Sequence, residues 1–302
     1  MLKEKIIKFA LFLCAFVSVI VSFAIMLTIL IEALKFFQKE SVVTFLFSSQ
    51  WAADAAFMNA DGTSKQGVFG ALSLFWGTFY ISLIAMLTAL PLGVMCAIYL
   101  GVFAGKKSKN YLKPILEIIA GIPTVVFGFF AAIVVAPFIV WFFSLFGIQA
   151  SFQSALGAGF IMGIMIVPIV ASLSQDCIEA VSEKRINAAY ALGMTKVQMV
   201  KGIMLPLAMP MILTGSILTL AGAIGETAPL MIIGMIAFIP DVASSIFDPT
   251  SVLPAQIYSW SAMPERAFLE RTAAGIIVLL GLLVVLNLSA ILLRKYFQGK
   301  LK

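Results

Sequence analysis

Long stretches of this chain carry no charge at all, and that feature limits its fold more than any motif does. Residues 9–31, 66–105, 118–175 and 273–293 contain no Asp, Glu, Lys or Arg, and between Lys201 and Asp241 only Glu226 is charged. About 20 apolar residues suffice to cross a bilayer as a helix, so each run is long enough to span. The 58 residues of 118–175 are too many for one crossing, and the polar turn Gly147–Ser154 divides them into two. Six spans follow: an all-α integral membrane protein. Only 11% of the 302 residues are charged, against about 25% in soluble domains. The net charge of +6 therefore reads as membrane topology, with no nucleic-acid partner implied.

The first run spans 23 residues, from Phe9 to Ile31. A signal-peptide core has about 7–15, so an uncleaved anchor helix is expected. Basic residues set the orientation. With both termini in the cytoplasm, 15 of the 20 Lys and Arg fall inside, while Lys35, Lys39, Lys65, Arg266 and Arg271 fall outside, as the positive-inside rule requires. One membrane domain covers 1–302: a peripheral first helix at about 9–31, an outer loop at about 32–70, core helices over about 71–293 and a cytoplasmic loop over about 174–206. The outer loop carries turn-formers at Asn59–Gly67, and a second outer loop runs from about Ile239 to Arg271. Pro91, Pro123, Pro168, Pro210 and Pro229 predict kinked or broken spans, tolerated where neighbours re-satisfy the backbone.

Several chemistries drop out early. The chain has no histidine, which removes Ser-His triads and H-E-x-x-H zinc sites. Cys14, Cys96 and Cys177 lie far apart and form no C-x-x-C pair, so neither a metal site nor a disulfide framework is expected. The segment Gly101–Ser108, "GVFAGKKS", has one residue too few between its glycines to be a phosphate-cradling loop.

The most polar stretch of the second half is Arg185–Pro206, "RINAAYALGMTKVQMVKGIMLP". Read as helices it breaks at Gly193. The first piece presents Ala188, Ala189 and Leu192, small or apolar positions that admit a close partner. The second alternates Val197, Val200, Ile203 and Met204 with Lys196, Gln198 and Lys201, as suits an interfacial helix. Periodicity alone leaves an ordinary amphipathic connector equally open.

The spacing of this stretch resembles the loop signature of bacterial ABC-importer permeases, E-A-A-x3-G-x9-I-x-L-P. Ala188, Ala189, Gly193, Ile203, Leu205 and Pro206 stand at its offsets, and Asn187 occupies the Glu place. The resemblance implies a type I ABC importer permease fold whose loop docks as a coupling helix in a separate ATPase subunit. ATP and Mg would sit on that partner, with no cofactor bound here and no enzymatic activity of this chain.

Gly225–Leu230, "GETAPL", is similar to a segment of phosphate-specific permeases of the PstA and PstC kind, as are Ala120–Phe130, Leu253–Trp260 and the closing span. The resemblance runs from about Gly70 to the C-terminus. The Glu226 segment leans to PstA, and the outer loop and third span to PstC. The group implies a second, paralogous permease subunit, two ATP-binding cassette subunits, an extracytoplasmic phosphate-binding protein and a place in the bacterial inner membrane. Sulfate- or molybdate-like oxyanions are the alternative cargo. A secondary transporter would call for internal repeats and a midplane polar site, neither of which is visible.

Glu226 is the one acid inside a span, and an intramembrane ionisable group points to function. A bare carboxylate repels phosphate, so it is not expected to bind the anion alone. Phosphate permeases of this kind carry an Arg four residues earlier, where this chain has Gly222. Three readings remain: Glu226 pairs with an Arg of the partner permease, stays protonated, or hydrogen-bonds within a kinked helix. The first is preferred. Thr78, Ser82, Thr124, Thr214, Ser216 and Thr227 are the hydroxyls that could meet the anion, although most such groups bond back to their own helix. Glu117 reads as an interfacial charge.

Overall fold

The computed structural model describes residues 2–49, 70–237, 239 and 241–300. The Asn59–Gly67 turn and Lys65 lie outside the described residues. Among those described, six helices are long and apolar enough to cross a membrane: 4–39, 72–103, 124–144, 155–179, 196–224 and 266–296. Contacts divide the chain into two compact units, residues 1–70 with 257–280, and 71–256 with 281–302.

In the first unit, α1 runs Leu2–Lys39 and α2 Val42–Phe47. At 38 residues α1 is about 57 Å long, well beyond the ~30 Å hydrocarbon core. It therefore continues eight residues past the predicted start of the outer loop, because "EALKFFQK" keeps helix-forming residues and holds a buried Ala33 and Phe36. Phe36 meets Phe45 of α2 edge to face at 5.3 Å. Most of α1 is exposed apolar surface, the expected state of a helix that faces lipid.

The last helix of the chain runs Arg266–Lys300 and begins in this unit. Its Glu270 carboxylate accepts from Lys39 Nζ at 2.9 and 2.6 Å. Arg271 is 5% exposed, lies 5.8 Å over the Phe36 ring and donates from a terminal guanidinium nitrogen to the Ala267 carbonyl at 3.0 Å. Burial pushes the Glu40 carboxyl up, and the nearby Arg271 draws it part of the way back. Arg266 and Arg271, expected in an outer loop, thus belong to the helix, and Arg271 is interior. An arginine can enter an apolar unit when aromatic and carboxylate neighbours replace its water.

In the second unit, α3 covers Leu72–Ile98 and ends in a π turn, Tyr99–Phe103. Next come α4 (Lys106–Ala120), α5 (Thr124–Phe130), a π turn at Ala131–Val135, and α6 (Ala136–Ser144). The long α7 (Ala155–Glu179) is capped by Ser154, whose hydroxyl accepts from Gly157 N at 3.4 Å. The predicted division at Gly147–Ser154 is where α6 and α7 separate. Glu117 lies in α4, a helix of its own ahead of the third span, and is exposed.

The closest helix pair is α3 with α7, and glycine makes it possible. A Cβ on Gly159 would come 2.7 Å from Ile84 Cβ, and one on Gly93 2.7 Å from Val170 Cγ1. Lipid tails are as apolar as leucine, so helices in a bilayer associate by close backbone approach and dispersion contact. Around this pair sit Ile81, Ala85, Ile161, Met162, Ile166 and Val170, all buried.

The part of the predicted second outer loop that belongs to this unit, up to Gln256, is folded into this core. After α8 to α10 (described below), α11 (Ala228–Ile232), whose Leu230 is buried, and α12 (Leu253–Ser261) flank a connection whose Ile233, Met235 and Val252 are buried. The connection is pinned to the α6–α7 turn: Ser151 N donates to Phe247 O at 2.8 Å, Leu156 N to Ile246 O at 3.0 Å and Thr250 N to Gln153 O at 3.1 Å. Gln256 Nε2 donates to Ile236 O at 2.8 Å, Ile239 N donates to Ser251 Oγ at 3.0 Å, and that hydroxyl donates to Ala237 O. Backbone that dips into an apolar bundle must have its polar groups paired internally, and these bonds do so.

Candidate functional site

The polar hairpin is built as its residues suggest. Helix α8 runs Glu183–Ala191, Gly193 turns the chain at φ +78°, and α9 runs Lys196–Met199. Only glycine takes that φ freely, which fixes the break at this position. Thr195 and Gln198 form a capping box: Gln198 N donates to Thr195 Oγ1 at 3.3 Å, and Thr195 N to Gln198 Oε1 at 2.9 Å. A π turn at Val200–Met204 runs without interruption into α10, Leu205–Ile224, with Pro206 directly after the π turn.

The motif residues divide by role. Ala189 is 1% exposed and packs with Ala97, Ile178, Val181, Met199, Val200 and Met204, while Ile203 and Leu205 rest on the same cluster. These fasten the hairpin to the ends of α3 and α7. Asn187, Ala188, Gly193 and Pro206 face out, and beside them Tyr190 is exposed and Leu192 is 82% exposed. Ala189 therefore does not face a partner: the small residue is needed because the hairpin closes on its own core there. The outward set is a knob of small and apolar residues ringed by Glu183, Lys184, Arg185 and Lys196, all exposed.

The second candidate region is a break in the fifth span. Helix α10 stops at Ile224, residues 225–227 are non-helical, and α11 follows. Glu226 is thus not in a helix, as expected above, but in the gap between two. The gap follows directly on the fifth span, 196–224: Ile224 lines a small cavity with Thr78, Ile81 and Met162, and Pro229 sits against Gly128, where a Cβ would come 2.8 Å from the Pro229 Cα. Broken helices are tolerated where they line a cavity or are buried in protein. The Glu226 backbone donates to Ala223 O at 3.0 Å, and its half-buried side chain has no hydrogen-bond or ion-pair partner among the described residues. Around Gly222 there is open space, with no atom within 4 Å of a built Cβ.

The hydroxyls divide in the same way. Thr78 donates to Leu74 O at 2.7 Å and accepts from Leu253 N at 3.1 Å. Thr214 donates to Pro210 O at 2.7 Å and reaches Ala290 O at 3.4 Å, and Ser82 donates to Thr78 O at 2.6 Å. All three are buried and committed to backbone. Ser216 is fully buried, its Oγ without a partner among the described residues. Thr227 is half-buried and makes only a 3.3 Å contact to Gly225 O, and Thr124 opens α5, the helix on which α11 packs. Glu226 and Thr227 are therefore left uncommitted at the break, and Thr124 on the helix that α11 packs against, whereas Thr78 and Thr214 hold helices together. The Lys39–Glu270–Arg271 cluster gave no signal in sequence, since Lys39 lies more than 200 positions from the other two.

Charge near the 233–252 connection is held by Asp248, whose Oδ2 accepts from Ser244 Oγ at 2.7 Å, Ser245 N at 2.8 Å and Ser244 N at 3.0 Å. The Ser244 hydroxyl, then the Ser245 and Ser244 amides, hold this carboxyl below the usual Asp range.

Residues 89–302 match the family model of the binding-protein-dependent transport system inner membrane component. A probable ABC transporter permease protein of Bacillus subtilis, YqgH, is 29% identical over 96% of this chain and 89% of its own length. The phosphate transport system permease protein PstA 1 of Mycobacterium tuberculosis is 28% identical, covering 76% of this chain and 70% of its own. PstC of Mesorhizobium japonicum is 28% identical over 72% of each. Among solved structures, the inward-facing MetNI methionine ABC transporter superposes with a TM-score of 0.54 at 18% identity, over 76% of this chain and 94% of that one. A bacterial ABC transporter that imports alginate gives 0.55 at 16% identity, over 78% and 80%.

Proposed function

This chain belongs to the binding-protein-dependent transport system inner membrane components, the permease subunits of ABC importers, and we propose that its cargo is inorganic phosphate. Its six-span bundle has the type I importer permease fold. The observation that carries the phosphate reading is the break at Gly225–Thr227. It interrupts the helix within the G-E-T-A-P-L segment, whose Leu230 lines a small cavity of the bundle, and the relatives PstA 1 and PstC, named for phosphate, align over about three quarters of the chain.

In this reading the hairpin is the coupling element. Its outward knob of Asn187, Ala188, Tyr190, Leu192 and Gly193 docks into an ATP-binding cassette subunit, which supplies ATP and Mg. Ala189, Ile203 and Leu205 transmit the push to the ends of α3, α7 and α10, because they are packed against them. A rigid, self-supported handle loses little entropy on docking. Both termini and the hairpin lie on the ATPase side, as the basic residues require.

Glu226 stands at the pathway with its neighbour Thr227, and Thr124 opens the helix on which α11 packs. A carboxylate left half-buried without a partner is costly, and an arginine from a second permease subunit would relieve it. That cation would also offset the repulsion between Glu226 and the anion. The full importer then holds two permease subunits, two ATPase subunits and an extracytoplasmic binding protein that delivers phosphate.

The test is uptake of radiolabelled phosphate into proteoliposomes holding the co-purified permease pair and ATPases, with the binding protein outside or inside to match orientation. The expected result is ATP- and binding-protein-dependent phosphate uptake that excess sulfate or molybdate leaves unchanged. Uptake of sulfate or molybdate in place of phosphate would overturn the cargo while leaving the importer standing.

A further inference from the structure

Helix α4 is unused by the importer reading, yet it is the most strongly amphipathic element of the chain. It carries Lys106, Lys107, Lys109 and Lys113 against a single acid, Glu117, and it buries no residue. At 100° per residue, Ile118, Tyr111 and Ile115 fall within one arc of about 60°, bordered by Lys107. They are 68%, 74% and 49% exposed. Lys106, Asn110, Lys113 and Glu117 occupy the opposite side, where Lys113 and Glu117 also edge the cleft against α7 that Asp176 lines. A third flank meets the rest of the chain: Ile119 rests on the core, Leu116 lines the cleft against α7, and Lys109 Nζ donates to Gly101 O at 3.4 Å.

The helix thus has one face on protein, one apolar face left open and a charged side that is open at Lys106 and Lys107 and borders the α7 cleft at Lys113 and Glu117. Four lysines in fifteen residues are too many for a membrane-spanning helix. Exposed Tyr, Ile and Leu at helical spacing are out of place on a helix surrounded by water. An apolar stripe edged by lysines, set between two spans, has the make-up of a helix lying in the plane of the interface. Its net positive charge decides which surface it fits.

We propose that α4 is an interfacial anchor that binds anionic phospholipid, with Tyr111, Ile115 and Ile118 among the acyl chains and Lys106, Lys107 and Lys113 at the headgroup phosphates. Lysine stems reach past the apolar edge to do this. Each such lysine adds attraction to an anionic leaflet, and the attraction weakens as salt rises. The importer's cargo does not enter the argument, so the inference stands or falls independently of phosphate.

The experiment places a photo-crosslinking residue at Ile118 of the full chain in its native membrane, with Ile115 as a second site should the first prevent assembly. The expected adduct is a phospholipid, enriched in phosphatidylglycerol or cardiolipin over the bulk bilayer. The triple substitution K106Q/K107Q/K113Q should lower that enrichment about tenfold, and the Arg replacements at the same positions should retain it. A protein adduct at both sites would overturn the proposal, since a partner chain would then cover the face. So would a lipid adduct of bulk composition that the Gln substitutions leave unchanged.

Discussion

The hairpin at 183–206 and the break at 225–227 both interrupt an apolar bundle, and they do so in opposite ways. In the hairpin every demand is met within the chain. Gly193 supplies the turn, Thr195 and Gln198 cap α9, Ala189 fills the core, and the charges point outward. In the break the backbone is provided for but the chemistry is not, because Glu226 lacks a partner among the described residues and open space surrounds Gly222. A surface that another protein must grip has to be finished before it is gripped. A site shared between two chains is complete only when both are present.

The largest effects should separate the two halves of the hairpin motif. Ala189→Arg puts an unpaired charge and extra volume into the Ala97–Met199–Met204 cluster, and should cost about 3 kcal/mol or more. A large drop in the detergent melting temperature, with loss of the ATPase on purification, is expected. Leu192→Asp acts on the outward half: melting should be unchanged, and ATPase retained on the column should fall about tenfold, the scale of one good apolar anchor. If Leu192→Asp lowers melting as much as Ala189→Arg does, the division into fastening and docking residues is wrong.

The break should respond more mildly and at a different stage. Glu226→Gln keeps shape and hydrogen-bonding capacity while removing the charge, so assembly with the ATPase should be intact. Uptake should fall about threefold to tenfold, as for the loss of one charge-assisted bond. Cross-linking of a Cys at 226 to Cys replacements on a second permease would then identify the missing cation. Unchanged uptake in Glu226→Gln would remove the carboxylate from the pathway and leave the break a purely structural feature.

The same comparison explains what was legible beforehand. The hairpin could be read because its determinants are local: a glycine, a cap and fixed offsets lie within twenty residues. The six spans could be read because absence of charge needs no partner. The folding of 228–256 into the core could not, since an apolar run looks the same whether it spans, loops or turns back. Only contacts such as Gly128 with Pro229 and Thr78 with Leu253 N decide it. Arg271 failed for a related reason. Its aromatic neighbour Phe36 and the Glu40 carboxylate lie far away in sequence, so charge counting placed it in water. Thr78 and Thr214 looked like pathway hydroxyls until their acceptors were known.

The smallest expected effect comes from the connection that seats α11, and it bears on whether the break is held from one side. Asp248 closes the turn at 244–248 through three hydrogen bonds, and the adjoining residues 246–251 are tied to the α6–α7 turn and to Ala237 and Ile239. These bonds favour the charged carboxylate and hold its pKa below the usual Asp value. The folded pKa is therefore lower than the unfolded one. The contribution is fully present above an ordinary Asp pKa of about 4 and is lost as pH falls through the folded pKa. Asp248→Asn should remove that dependence and loosen the turn, with amide exchange rising at 244–251 and, more weakly, at 228–236. Because Asp248 is largely solvated, global melting should move little. The hairpin amides at 187–206 should not respond, since no contact described here links them to this turn. A rise in exchange at the hairpin would mean that the break and the handle communicate through the connection, and the two regions would then have to be treated as one device.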